Sequence, residues 1–164
     1  MTSVAATGSC DGVTGMNGWN TSTTCVKMLG VENPYGNIFK WVDGVYFSSA
    51  TIYAHRYPQQ FADSTSNGKA LEFSRPTSDG YISALKHGTD ASTRSYAYAS
   101  AASGSASTYY GDYCYYSSSG VVLCVGGAWG SGADAGLWYL DGGASASRSG
   151  AGVGARLTYR PINT

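Results

Sequence analysis

Asn33-Pro34-Tyr35-Gly36-Asn37-Ile38-Phe39-Lys40-Trp41-Val42-Asp43-Gly44 is the stretch on which the fold turns. Pro34 fixes φ and Gly36 tolerates positive φ, so Asn33 to Gly36 predicts a turn. Ile38 to Val42 then reads as a β-strand that Asp43-Gly44 halts. Val45-Tyr46-Phe47 resumes it, and Ile52 to Tyr57 comes next as another β-prone piece. Further out, Arg75-Pro76-Thr77-Ser78-Asp79-Gly80 predicts a turn before the short segment Tyr81 to Leu85. Val121-Val122-Leu123-Cys124-Val125 is a continuous apolar run, which predicts a buried strand broken by Gly126-Gly127. Val153, Ala155, Leu157 and Tyr159 alternate with Gly154, Arg156 and Thr158, a period-2 strand pattern. No segment sustains a 3.6-residue period over three turns, so helix content is expected to be low and irregular loops plentiful.

The 164 residues suit one domain, 1–164, and are enough to bury a core. Lys plus Arg number 10 and Asp plus Glu number 10, so the chain lacks the electrostatic footprint of a nucleic-acid or anionic-membrane binder. No apolar run approaches the roughly 20 residues of a membrane span, so membrane insertion is not expected. The start, Met1-Thr2-Ser3-Val4-Ala5-Ala6, has no basic region ahead of an apolar core, so no signal peptide is expected. Charged residues make up 12% of the chain, against roughly 25% in soluble domains, and Ser, Thr, Asn, Gly and Tyr hydroxyls solvate it instead. With 43% hydrophobic residues, 4 Trp and 14 Tyr, it is too apolar to be disordered.

Catalytic chemistry is poorly served. His55 and His87 have no ligand partner at helical spacing, and there is no Gly-x-Ser-x-Gly elbow or P-loop. Cys10, Cys25, Cys114 and Cys124 lack C-x-x-C spacing. Reduced buried thiols are expected, with a Cys114–Cys124 disulfide as the alternative. The chain also lacks a D-x-D-x-D-G calcium loop. No catalytic residue, metal ligand or cofactor is assigned.

Three segments together carry a likeness: Val31 to Gly44 with Trp41 in it, Gly126-Gly127-Ala128-Trp129, and Val153-Gly154-Ala155-Arg156-Leu157. Their order resembles the C-type-lectin-like branch related to formylglycine-generating enzymes, and more narrowly phage tail and prophage structural proteins with a lectin-like C-terminal domain. The resemblance spans about residues 10 to 160. It implies an α+β fold of the C-type-lectin type, made mostly of short antiparallel strands and long irregular loops. It also implies that the chain is the C-terminal domain of a longer protein. Trp41, Gly126, Gly127, Trp129, Trp138 and Arg156 would be the scaffold, with Trp129 and Trp138 in the core. The missing lectin triplets Glu-Pro-Asn and Gln-Pro-Asp leave no calcium role to carry over.

Some members of that branch are variable proteins of diversity-generating retroelements, in which asparagine codons near the C-terminus are rewritten. There is no Asn between Gly68 and Ile162, and Gly130, Ser131, Asp134, Asp141, Gly143, Arg148, Gly150 and Gly152 are residues such a process can write. A Gly/Ser-rich loop without that history explains them equally. A nearby template repeat differing at adenines would separate the two.

Seven of the tyrosines fall between Tyr96 and Tyr116. Tyr supplies rigid contact area with a polar handle, and small polar residues adapt around it. Ligand contacts are therefore expected from Tyr109, Tyr113, Tyr115, Tyr116 and Tyr139 together with the eight positions above. If 113–116 is a strand, Tyr113 and Tyr115 share one face while Cys114 and Tyr116 share the other. The expected role is recognition of a bacterial surface protein or glycan, on a phage-tail virion or at a bacterial cell surface. The chain could also act as a homo-oligomeric part of a tail or fibre. The alternatives are an assembly domain with no receptor of its own, and an oxidase of the formylglycine-generating class. For the oxidase, Cys124 in an apolar run implies an inert thiol.

Overall fold

The computed structural model describes residues 33–155 throughout, and before them the backbone of three short strands, β1 (Asn20–Thr21), β2 (Val26–Met28) and β3 (Val31–Glu32), which form a small antiparallel sheet. The remaining strands are β4 (Phe39–Ser48), β5 (Thr51–Ala54), β6 (Lys69–Ser74), β7 (Gly80–Tyr81), β8 (Ala84–His87), β9 (Ala97–Ala101), β10 (Tyr113–Tyr116), β11 (Val122–Val125), β12 (Leu140–Ala144) and β13 (Val153–Gly154). The main sheet runs β6-β5-β4-β11-β12-β10-β7, and β13 joins the free side of β4 end to end with β5. The sheet curls into a half-barrel. The pairs β10–β12 and β13–β4 are parallel and the rest antiparallel, and β8 and β9 form a separate hairpin.

The α+β expectation is overturned. Helix among the described residues is confined to two 3₁₀ segments, Pro58–Gln60 and Trp129–Asp134, and the protein is mostly β. The physical reason lies in the sequence: no stretch carries an apolar stripe at helical spacing, and a 3₁₀ turn needs none. A curled sheet, and no layering of helix on sheet, positions the side chains of the site.

Asp43-Gly44 does not halt the first strand. β4 passes through it as a bulge, in which Val42 and Tyr46 pair with the adjacent residues Leu123 and Val122 of β11. Gly44 has a φ of +79°, its N–H donates to Asp43 Oδ1 at 2.8 Å, and a Cβ there would meet the Phe61 ring at 2.7 Å. Glycine alone allows both the left-handed backbone and the close ring, so the strand bends and continues. The bend lets one strand pair with β13 and β11 at its start and with β5 at its end.

The core lies on both faces of the sheet. Phe47, Ile52, Leu71, Ile82, Tyr98, Cys114, Leu123 and Leu140 form the larger cluster, against which the β8–β9 hairpin packs through Tyr98 and Ala99. Phe39, Val122, Cys124, Tyr139 and Ala144 form the smaller one, flanked by Trp41, Tyr46 and Tyr113. Alternation along β11 divides the clusters, with Leu123 in one and Val122 and Cys124 in the other. Phe47 is fully enclosed, a burial worth about 1.5–3 kcal/mol.

Cys114 and Cys124 are buried free thiols in different clusters, on strands separated by β12. Desolvation pushes their pKa values up to about 11 and about 12. Cys10 lies outside the described residues, as do Cys25, Arg156 and the C-terminal part of the strand pattern that begins at Val153.

The turn between β10 and β11 is set by a close backbone approach. A Cβ on Gly120 would collide with Gly142 O and stand 2.5 Å from Gly143 Cα, both backbone atoms of β12. Gly120→Ala is expected to cost about 2–3 kcal/mol in urea unfolding, since strand backbone cannot swing aside. The exposed neighbour Ser118, changed to Ala, should stay within about 0.5 kcal/mol of wild type. A Gly120→Ala protein as stable as wild type would contradict this packing.

Candidate functional site

β12, Leu-Asp-Gly-Gly-Ala, has the composition of a loop yet runs through the middle of the sheet, paired with β11 on one side and β10 on the other. Tyr115 of β10 and Cys124 of β11 both pair with Asp141, and Cys124 pairs in turn with Trp41. These four side chains form a row across one face. The chain then turns back over that face at residues 145–148, where Arg148 N–H donates to Ser145 O at 3.0 Å. Arg148 Nη1 meets Asp141 Oδ2 at 2.9 Å, with its guanidinium over the Phe39 ring 5.1 Å from the centroid.

The result is an open depression of about 640 Å³ lined by Tyr115, Ser119, Tyr139, Asp141, Gly143, Ser145, Arg148 and Ser149. Asp141 is its fixed point. The carboxylate is buried, Oδ2 accepts from Arg148, and Oδ1 accepts the Gly143 N–H at 2.8 Å. A buried charge persists only when paired and hydrogen-bonded, and here it is both. Arg148 is the outer partner, with 35% of its side chain exposed against 5% for Asp141.

Tyr115 forms one wall. A Cβ on Gly143 would collide with Tyr115 Cε1 and stand 2.8 Å from Cδ1, so the ring lies on the bare backbone of β12. It remains 40% exposed, which turns its other side to solvent. Tyr139 lies at the base and is 7% exposed. It belongs to a row of rings, Phe39–Tyr139–Tyr113–Tyr81, with centroids 5.5, 5.9 and 5.2 Å apart. Burial raises the pKa of the Tyr139 phenol, so it stays a neutral donor at any physiological pH. Its hydroxyl has no hydrogen-bond partner among the described residues, and it is not among the polar atoms sealed from solvent.

Five of the thirteen expected contacts thus converge on one place: Tyr115, Tyr139, Asp141, Gly143 and Arg148. The alternation expected for 113–116 is found, with Cys114 in the larger cluster and Tyr113 beside the smaller one. Tyr116 faces away from the depression and stacks on Arg75, whose Cζ is 4.7 Å from its ring centroid. Asp134 accepts the Tyr81 hydroxyl at 2.8 Å, and Ser131 Oγ accepts the Ala128 N–H at 3.0 Å, so both hold local structure. Gly130 lies exposed in the second 3₁₀ segment, Gly150 and Gly152 lie in the bend and turn before β13, and Tyr109 stands exposed on a loop with a φ of +59°.

Two expectations need correction. Trp129 and Trp138 are 46% and 67% exposed and do not belong to the core, whereas Trp41 packs against the smaller cluster. Trp129 is held by its backbone, whose N–H donates to Asn37 O at 3.0 Å, so the indole is free to face outward. Nor do the eight writable positions from Gly130 to Gly152 form one freely variable surface, because β12 runs through the centre of that stretch. Asp141 is committed to an ion pair, and Gly143 to the space under Tyr115. Gly126 and Gly127 are both buried, with φ of +92° and +73°, left-handed backbone that favours glycine.

Ser119, Ser145 and Ser149 also line the depression, and the sequence does not single them out. No signal in so Ser-rich a chain distinguishes them from other loop serines. No family model, curated protein or solved structure matches the chain.

Proposed function

We propose that this chain is a recognition domain that holds a bacterial surface ligand, as the receptor-binding part of a phage tail or of a bacterial surface assembly. The observation that carries the proposal is the convergence of Tyr115, Tyr139, Asp141 and Arg148 with three serine hydroxyls in one open depression. Sheet strands carry Tyr115 and Asp141, Asp141 and the Phe39 ring hold Arg148 in place, and loops supply the serine hydroxyls, an arrangement suited to binding by preorganised groups. The chemistry favours recognition over an oxidase of the formylglycine-generating class. Asp141 and Arg148 neutralise one another, and Cys114 and Cys124, buried with raised pKa values, sit in separate clusters.

Among the described residues no helix is long and apolar enough to cross a membrane. A second reading is favoured by the exposed rings of Tyr109, Tyr110, Trp129 and Trp138: packing of this surface against other subunits of a tail or fibre.

The test is binding of the isolated chain to arrayed bacterial surface glycans and envelope proteins. Wild type is expected to bind. A Tyr115→Ala, Arg148→Ala double variant, checked for folding by circular dichroism, should lose at least about tenfold in affinity. Equal binding by the two proteins would remove this site from the function. A concentration-dependent oligomer in sedimentation, with no array binding, would favour assembly instead.

A further inference from the structure

We infer that the depression takes a neutral carbohydrate, with one sugar ring laid on Tyr115 and two neighbouring hydroxyls held by the Asp141–Arg148 pair. The inference rests on the recognition reading and names the ligand class of the same site. Three features carry it. The first is the lining: apart from the two tyrosine rings and Gly143 it is hydroxyl, carboxylate and guanidinium, so an apolar ligand would strip water from these groups and return no hydrogen bond. The volume, about 640 Å³, lies within the roughly 300–1,000 Å³ of small-molecule sites and is wide enough for a short saccharide.

The second is charge. Arg148 is already met by Asp141 at 2.9 Å, so an anion arriving at the guanidinium would also meet a fixed carboxylate behind it. A cation would meet Arg148 first, since it is the more exposed of the two. A polyol suits both. One hydroxyl can accept from the guanidinium N–H groups that Asp141 does not use, and its neighbour can donate to a remaining carboxylate lone pair.

The third is the Tyr139 hydroxyl, on a lining side chain more than nine-tenths buried, without a protein partner among the described residues and not sealed from solvent. A buried polar group of this kind is satisfied by ligand or solvent. Tyr115 adds a flat apolar surface for the C–H face of a sugar ring, at little entropic cost because Gly143 fixes its back. No calcium is needed, since the Asp141 carboxylate already has the Arg148 guanidinium as its counter-charge.

The probes are methyl glycosides of glucose, galactose, mannose and N-acetylglucosamine, with glucuronic and N-acetylneuraminic acids for comparison. Each is titrated into the ¹⁵N-labelled chain and followed by amide shifts. At least one neutral glycoside is expected to shift Tyr115, Gly143 and Arg148 amides. Its Kd should change less than about twofold between roughly 0.05 and 0.5 M salt, as screening leaves a neutral ligand untouched. Binding should persist in EDTA. Tyr115→Ala and Arg148→Lys are each expected to weaken it at least about tenfold, the lysine because it loses the planar fork while keeping the charge. A preference for the acids, loss in EDTA, or full affinity in both variants would overturn the inference. Binding to the surface array with no response to any neutral glycoside would overturn it and leave the recognition role standing, whereas failure in both experiments removes both.

Discussion

Arg75→Ala is expected to lower the free energy of unfolding by about 4 kcal/mol, as four backbone carbonyls lose their shared donor and two rings lose a packed neighbour. Arg75 is 3% exposed and has no carboxylate partner among the described residues. Its guanidinium donates to four backbone carbonyls: Nε to Ser49 O at 2.9 Å, Nη1 to Gly142 O at 2.7 Å, and Nη2 to Ser117 O at 3.1 Å and Gly120 O at 3.2 Å. It also lies over Phe47 at 4.2 Å and Tyr116 at 4.7 Å from the ring centroids. The β4–β5 turn, the β10–β11 turn and β12 are thereby tied to one side chain. Each charge-assisted bond contributes about 1.5–3 kcal/mol, and the sum falls short of additivity because the freed loops relax toward water. Burial lowers the Arg75 pKa from its usual value, yet an arginine stays charged at neutral pH. Arg75→Lys should recover less than half of the loss, since three tetrahedral donors cannot reach four carbonyls spread in a plane. Urea unfolding followed by tryptophan fluorescence measures both variants. A lysine variant within about 0.5 kcal/mol of wild type would show that charge alone suffices.

Arg75 also marks the limit of what a lone sequence discloses here. It stands in Arg-Pro-Thr-Ser-Asp-Gly and reads as the start of a turn, which it is, but its partners are carbonyls that every residue carries. No letter elsewhere announces them. β12 is hidden for a related reason. Leu140-Asp141-Gly142-Gly143-Ala144 looks like a loop because its glycines weaken strand propensity, yet they are what admits Arg75 and Tyr115 against the strand. A Cβ at Gly142 would stand 2.5 Å from Arg75 Nη1.

Where side-chain pattern alone decides, the sequence is direct. Val122–Val125 is a central buried strand, and Tyr113–Tyr116 alternates across the sheet. Asp43-Gly44 misleads because a glycine with positive φ serves a bulge as well as a turn, and the difference lies in whether neighbour strands continue on both sides. Trp129 and Trp138 mislead because large aromatics usually pack inward. Their segment is instead anchored by backbone bonds, Trp129 N–H to Asn37 O and Trp138 N–H to Asp112 Oδ1 at 3.3 Å. Of the site, the ionic and aromatic members are legible by type, and their meeting is not, because the turn that folds Arg148 onto Asp141 is written in small residues.

Gly143→Ala is expected to weaken binding of a responsive neutral glycoside at least about tenfold while leaving the fold nearly as stable as before. The added methyl would occupy the space now filled by the Tyr115 ring, with Cδ1 only 2.8 Å away. Tyr115 stands at the rim and is substantially exposed, so its ring can rotate outward at low cost. Replacing a strand glycine also recovers about 0.5–1 kcal/mol by restricting the unfolded chain, which offsets much of the displacement. Stability and binding therefore separate. Thermal unfolding should move little, whereas the stacking wall is lost and Ser119 and Tyr139 face a differently shaped site. The contrast with Arg75→Ala is diagnostic, because that change removes the network behind β12 and should take stability and binding together. Gly143→Ala also tests whether this position can vary freely. Unchanged affinity would mean that Tyr115 does not hold the ligand by the placement Gly143 gives it. A loss of several kcal/mol in stability would instead make Tyr115 part of the framework.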